Sequence, residues 1–339
     1  MTIEPVKFAV VGYGHIGKRH ADMIAAHSGC VLSAVVDTNE ELQGDVLQQH
    51  NTAYYNSLDN LFASGIDVDV INIATPNALH ASQAVLCLEK GYHVVIEKPI
   101  ALTTAESEQI LTTAERMDKR VFCVMQNRYS APMQWLKELM TNNALGNIFL
   151  VDVHCYWNRD GRYYTGDTWH GTKEVDGGTL FTQFSHYVDL LYWLFGDITN
   201  IQAKFANNNH KGMIAFEDSA IVGFDFVKGG SGSLIYSTSV WDKNMESSMV
   251  IVGEKGTVKI GGQYMDKIEY CHIKDYTLPE QIEEKRIDVK NHQGAKANHY
   301  FVIQNVLDVL HNGSGITTNA EEGMKVVDII ERIYALKEQ

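Results

Sequence analysis

From Val6 onward the chain alternates short apolar runs with segments whose apolar residues recur every three or four positions. The runs Val6–Val11, Val31–Val36, Ala53–Tyr55, Val68–Ala74, His93–Glu97 and Val121–Met125 predict strands. Between them the spacing predicts helices over His15–Ala26, Glu40–His50, Leu58–Ser64, Ala78–Lys90 and about Thr103–Met117, with Gly91 as a C-cap. Strict strand–helix alternation over residues 1–125 is the pattern of a doubly wound parallel sheet, an α/β domain. The pattern then changes. A helix at Ala131–Met140 precedes a long alternating strand, Ile148–Trp157, and an irregular aromatic stretch runs from Asn158 to Asp176. One strong helix covers Thr179–Phe195. Strands follow at Ile201–Ala206, Ser219–Phe226, Gly232–Ser239, Ser248–Val252, Thr257–Ile260 and Ile268–His272. Lys228-Gly229-Gly230 and Gly253–Gly256 read as hairpin turns. With closing helices at Ala297–Leu310 and Glu321–Leu336, residues 126–339 predict an α+β domain on an open-faced, mainly antiparallel sheet.

Composition narrows the function more than the fold. The 339 residues suit two domains, and 45% hydrophobic with 21% charged residues is ordinary for a globular chain. A formal charge of −14 argues against nucleic acid as a partner, and any anionic ligand must be met by locally placed cations and N–H groups. No apolar run approaches a membrane span, and no leader is read before the first strand. Cys30, Cys87, Cys123, Cys155 and Cys271 are odd in number and scattered, so buried free thiols and a cytoplasmic location are expected.

The most informative motif lies at the end of the first strand. Gly12-Tyr13-Gly14-His15-Ile16-Gly17 sets G-x-G-x-x-G between strand and helix, and the next strand ends on Asp37. Gly12 permits the tight turn, Gly14 lets the backbone approach a pyrophosphate, and Gly17 lets helix and strand pack closely. The helix N-terminus offers N–H groups to phosphates. Asp37 would accept from the adenosine ribose hydroxyls and repel a 2′-phosphate, so a Rossmann domain binding NAD rather than NADP is expected.

Further candidates are Glu97-Lys98-Pro99, at the carboxyl end of a parallel strand, and His186, on the strong helix. A lysine there could exchange a proton with a substrate hydroxyl, and a cis peptide is expected before Pro99. The plainer reading is a solvated loop lysine. On the helix, Phe184, Val188, Leu191 and Phe195 form a core stripe, while Thr182, His186, Asp189 and Trp193 lie opposite. A histidine beside Thr182 and Gln183 suits proton abstraction, though a histidine satisfied within the core fits the same pattern. Asn158, Arg159, Arg162, Tyr163 and Trp169 make a cation-and-aromatic cluster fit for phosphate or carboxylate and a ring, or simply a packed loop. Gln126-Asn127-Arg128-Tyr129 follows the last parallel strand. No histidine or cysteine spacing suggests a metal.

Taken together, Gly12–Gly17, Ala74-Thr75-Pro76-Asn77 with His80, Glu97-Lys98-Pro99, and Gly177-Gly178 through His186 to Asp189 resemble the glucose–fructose oxidoreductase / inositol dehydrogenase (Gfo/Idh/MocA) family across the whole chain. The resemblance implies Lys98 and His186 as the catalytic pair, with Thr75, Pro76, Asn77, His80, Glu97 and Gln126 joining the glycine turn around the cofactor. It implies Arg128, Asn158, Arg159, Arg162, Tyr163, Trp169, Thr182 and Gln183 as substrate contacts beside that pair. It also implies a homodimer or homotetramer built on the second domain's sheet. Many members carry aspartate four residues before the histidine, and Thr182 stands there instead. Thr182-Gln183-Phe184-Ser185 and Gln126–Tyr129 resemble the branch acting on UDP-N-acetylglucosaminuronate, although Trp169-His170-Gly171 replaces its usual W-R-G. Dehydrogenases of free sugars or inositols, a sugar–sugar oxidoreductase that retains its cofactor, and a dinucleotide-binding sensor remain alternatives.

Overall fold

The computed structural model describes residues 4–166, 169–280, 282 and 298–338, which pack as two compact units. The first is built on β1 (Val6–Val11), β2 (Cys30–Val36), β3 (Ala53–Tyr55), β4 (Val70–Ile73), β5 (His93–Ile96) and β6 (Val121–Cys123). Helices α1 (His15–Ala26), α2 (Gln43–His50), α3 (Leu58–Ser64), α4 (His80–Glu89) and α5 (Thr104–Arg116) join them. The order β3-β2-β1-β4-β5-β6 is parallel throughout. All four residues of β4 are buried, as expected of a strand covered on both faces. The order reverses between β1 and β4, the switch point at which strand ends leave a ligand crevice. Ala78 and Leu79, expected to open the fourth helix, belong instead to a separate 3₁₀ turn, Asn77–Leu79. A reciprocal pair of hydrogen bonds between Thr103 and Glu106 starts α5, with Thr103 as its N-cap.

The second unit begins with α6 (Ala131–Thr141) and carries β7 (Ile148–Tyr156), the one-turn helices α7 (Gly161–Tyr164) and α8 (Lys173–Asp176), and α9 (Ser185–Phe195). Then come β8 (Ile198–Ala206), β9 (Ser219–Phe226), β10 (Ser231–Ser237), β11 (Glu246–Gly253), β12 (Gly256–Gly261) and β13 (Lys267–Ile273). The sheet order is β13-β12-β11-β7-β10-β9-β8, antiparallel except for the β7–β10 pair. Both expected hairpins form, β9–β10 and β11–β12. Alternation gives two unlike faces. Val151, Val153, Cys155, Val222, Phe224, Leu234, Tyr236, Met249 and Ile251 are buried, whereas Leu150, His154, Tyr156, Ile221, Ile235 and Val250 remain partly or fully exposed.

Two more helices follow, α10 (His299–Asn312) and α11 (Ala320–Tyr334). Ala297, the expected start of the first, lies outside the described residues. The domain expectation differs here from the structure. The first cut falls after Gln126, but residues 298–324 return to the first unit, and the second resumes at Lys325. Tertiary contacts outweigh sequence adjacency. Val302, Ile303 and Val306 of α10 are buried, Tyr300 stacks on His27 at 4.6 Å, and His27 Nε2 is 2.9 Å from Gln304 Oε1. Thr318 and Asn319 pair antiparallel with the outer edge of β6, the Cys123 N–H donating to the Thr318 carbonyl at 2.9 Å. Cys87, Cys123 and Cys155 are buried thiols as expected; Cys30, opening β2, and Cys271, on the outermost strand β13, are only partly buried.

Candidate active site

The glycine turn can be tested position by position. Gly12 has φ +87°, and a side-chain carbon there would lie 2.7 Å from the Ala74 carbonyl oxygen. At Gly17 it would meet the Gly12 carbonyl at 1.8 Å, so α1 and β1 could not close together. At Gly14 nothing lies within 4 Å. The two outer glycines therefore serve close protein packing, and the middle one faces open space. Gly14 is the N-cap of α1, whose first turn has neither an acidic residue nor a side-chain cap. Its N-terminal amides and positive dipole end suit a pyrophosphate. Half-buried Asp37, at the end of β2, accepts from the Tyr13 N–H (2.6 Å) and the Asn39 N–H (2.9 Å). Each carboxylate oxygen keeps capacity for one ribose hydroxyl. This turn fits a dinucleotide. Tyr13 is fully buried, while His15 is exposed and lies 3.1 Å from Arg19.

Two loops follow at the same ends of the sheet. After β4, the Thr75 hydroxyl donates to Gln83 (2.7 Å), and Pro76 leads into a turn in which Asn77 is buried. After β5 come Glu97, Lys98 and Pro99, joined by the expected cis Lys98–Pro99 bond. Glu97 is 6% exposed and Lys98 half-buried. Sequence reading missed what surrounds Glu97. Its Oε1 lies 2.8 Å from His20 Nε2 and 3.4 Å from His299 Nε2. The Glu97–His20 separation is a hydrogen-bond length, and one side-chain donor atom from each of the three residues lies within 4.8 Å of the others. Burial alone would push the Glu97 carboxyl up, but the His20 and His299 hydrogen bonds outweigh it and hold it well below the usual carboxylate range. Burial pulls His299 down to about 4, so it is neutral at physiological pH.

In the second unit, α9 is preceded by a π turn, Leu180–Phe184, which adds one residue just before His186. The stripe opposite the core-facing one is enclosed as well: Thr182, His186 and Asp189 are all below 9% exposed, and Trp193 is half-buried. Arg128 pairs with Asp189 on that side. Its guanidinium is fully buried, its Nε donating to Asp189 at 2.8 Å, and it lies 5.3 Å from the Trp193 ring centre. Thr182 donates to the Asp176 carboxylate, itself buried.

Before that turn lies the cation-and-aromatic cluster. The Arg159 guanidinium sits 4.9 Å from the Trp157 ring and 5.1 Å from Tyr163, and donates to Gln183 Oε1 at 2.6 Å. Gln183 in turn donates to the Tyr163 hydroxyl (2.8 Å). Burial pushes Tyr163 up to about 12, so it remains a neutral phenol. Asn158 donates to the Val240 carbonyl (2.7 Å), and Trp169 packs at 4.0 Å against His170. Arg162 points elsewhere: it is exposed, forked onto Asp160, with Asp242 3.7 Å away. A buried His210–Asp218 pair, also missed by the sequence reading, meets the Arg159 carbonyl.

Comparison with known proteins agrees with these two constructions. Residues 6–125 match the model of an oxidoreductase family with an NAD-binding Rossmann fold, and residues 133–259 match the GFO/IDH/MocA C-terminal domain. The chain resembles the WlbA dehydrogenase of Bordetella pertussis, solved with NADH and UDP-GlcNAcA. Identity is 30%, coverage is 99% of this chain and 97% of that one, and the TM-score is 0.89. The chain belongs to the Gfo/Idh/MocA family. The WlbA dehydrogenase of Chromobacterium violaceum, also solved with NADH and UDP-GlcNAcA, is likewise 30% identical, with coverage of 100% and 95% and a TM-score of 0.89. Glucose-6-phosphate 3-dehydrogenase of Bacillus subtilis is 28% identical across 60% of this chain and 58% of its own length. As a Gfo/Idh/MocA protein, the chain is an NAD-dependent sugar oxidoreductase. No helix among the described residues is long and apolar enough to cross a membrane.

Proposed function

We propose that the protein oxidises a ring hydroxyl of a nucleotide-linked sugar, a UDP-sugar or its uronate, and uses NAD in preference to NADP. The observation that carries this reading is Arg159, flanked by two aromatic rings and bonded to Gln183, three residues before His186. A cation so placed suits a carboxylate or phosphate on the sugar being oxidised. The likeness to two dehydrogenases solved with UDP-GlcNAcA supports the same substrate class. Lys98 and His186 are the acid–base pair in this reading: one takes the hydroxyl proton and the other stabilises the oxygen. Bound NAD+ supplies the hydride acceptor. Five free thiols fit a reducing compartment such as the cytoplasm. The half-exposed sheet face with Leu150, Ile221 and Ile235 is assigned to dimer or tetramer formation.

The deciding experiment is a scan at near-stoichiometric enzyme with excess NAD+, following reduced-nicotinamide absorbance against UDP-hexoses, UDP-GlcNAcA, free hexoses and inositols. Signal only with UDP-linked sugars is expected. Signal with free polyols overturns the substrate class, and silence across the panel favours a sensor.

Two variants test the assignments separately. Arg159→Ala is expected to raise the KM for the sugar by about 10–100-fold, as for loss of a charged hydrogen bond, with the KM for NAD+ little changed. Arg162→Ala should move neither, because that side chain is already forked onto Asp160. Asp37→Ala should cut the NAD-over-NADP ratio of kcat/KM by about tenfold or more, since it removes both the ribose acceptors and the charge facing a 2′-phosphate. An unchanged ratio would remove Asp37 from the ribose site.

A further inference from the structure

Lys98 stands between two residues that are each fastened from behind. On one side, the Glu97 N–H donates to the Ile73 carbonyl at 2.9 Å and extends the pairing of β5 with β4. The Glu97 carboxylate has one oxygen at His20 and His299, while the other accepts the backbone N–H of Lys98 itself at 3.1 Å. The two histidine rings meet edge to face, 5.1 Å apart at 84°. On the other side, the Pro99 carbonyl lies 2.7 Å from His80 Nδ1, and His80 Nε2 lies 2.8 Å from the Thr75 carbonyl. Three helices thus each send one fully enclosed histidine to the same short turn: His20 from α1, His80 from the start of α4, and His299 from the start of α10. Neither face of the turn can shift without breaking a buried hydrogen bond, which is costly where water cannot replace it.

We infer that Glu97, His20, His299 and His80 are positioning residues for Lys98, fixing the backbone on both sides of it rather than contacting cofactor or sugar. The inference rests on the reading of Lys98 as an acid–base group. It departs from the family-based expectation that Glu97 and His80 line the cofactor: His80 is 1% exposed with both ring nitrogens facing carbonyls, and Glu97 spends its oxygens on His20, His299 and Lys98. A proton-transfer group is sensitive to such support, because misplacement by about 1 Å can cost about 10²-fold in rate.

The test uses the full-length protein and the variants Glu97→Gln, His299→Gln and His80→Gln, each confirmed folded by circular dichroism. NAD+ affinity is read by titration, kcat and KM with UDP-GlcNAcA by absorbance, and Lys98 itself by its rate of modification with pyridoxal 5′-phosphate, located by peptide mass spectrometry. The expected result is a kcat lowered by about 10–100-fold, NAD+ affinity within about threefold of wild type, and a Lys98 modification rate changed by about threefold or more, equivalent to half a unit in protonation. His299→Ala should be worse than His299→Gln, since glutamine still offers a donor to Glu97. Wild-type kcat and Lys98 modification in folded Glu97→Gln and His80→Gln overturn the inference. So does NAD+ affinity that falls in step with kcat, which would make these residues cofactor ligands. The modification and titration arms need no sugar, so a wild-type protein silent on UDP-GlcNAcA overturns the substrate reading alone.

Discussion

Lys98→Ala is expected to lower kcat by about 10²–10⁴-fold, the usual contribution of a positioned acid–base group, while NAD+ binds nearly as tightly as to wild type. The structure separates the two effects. The side chain removed belongs to a half-buried residue whose neighbours Glu97 and Pro99 are buried, so the turn keeps its anchors. The groups suited to the dinucleotide, the α1 amides and Asp37, lie on other segments. Steady-state kinetics with the sugar identified in the scan, beside an NAD+ titration, checks both halves. A variant that turned over like wild type would remove the lysine from the chemistry. One that lost NAD+ affinity in proportion would make it a cofactor ligand instead.

Arg128→Ala is expected to destabilise the second unit by about 3–5 kcal/mol, the cost of leaving a buried charge without its partner. Arg128 is fully enclosed, and Asp189 is 1% exposed. The variant leaves a carboxylate in the core on α9, three residues from His186. Replacing both partners, as in Arg128→Met with Asp189→Leu, should recover much of that loss, because a well-packed apolar pair avoids the desolvation altogether. Urea unfolding followed by tryptophan fluorescence measures this directly, since Trp193 sits 5.3 Å from the guanidinium. A single variant as stable as wild type would show that the pair carries no structural weight. Reduced activity at full stability would instead support Arg128 as a substrate contact.

Local pattern made much of the scaffold legible, and distance in sequence hid the rest. β1, α1 and Asp37 follow from apolar periodicity, glycine spacing and one acid, because each is fixed by neighbours within a single strand–helix–strand unit. The π turn before His186 was invisible, since one inserted residue shifts a helical stripe without changing its composition. The partner of Asp189 was missed because Arg128 arrives from 61 residues away. The histidines around Glu97 carry no local signal either: His20 reads as one more polar residue on α1, and His299 lies on a helix assigned to the other domain. Arg159 and Arg162 looked equivalent three positions apart. Only the structure shows one between aromatic rings and the other on an exposed aspartate.

The edge of β6 has a consequence for how the chain is made. The hydroxyl of Thr318 reaches the Cys123 carbonyl across 195 residues of sequence, and α10 likewise joins the first unit only after the whole second sheet has been synthesised. On the ribosome, the first 126 residues therefore emerge with an unpaired strand edge and an uncovered flank of α1, and they must wait for most of translation before either is closed. A fragment ending at Gln126 should therefore aggregate where the full chain folds.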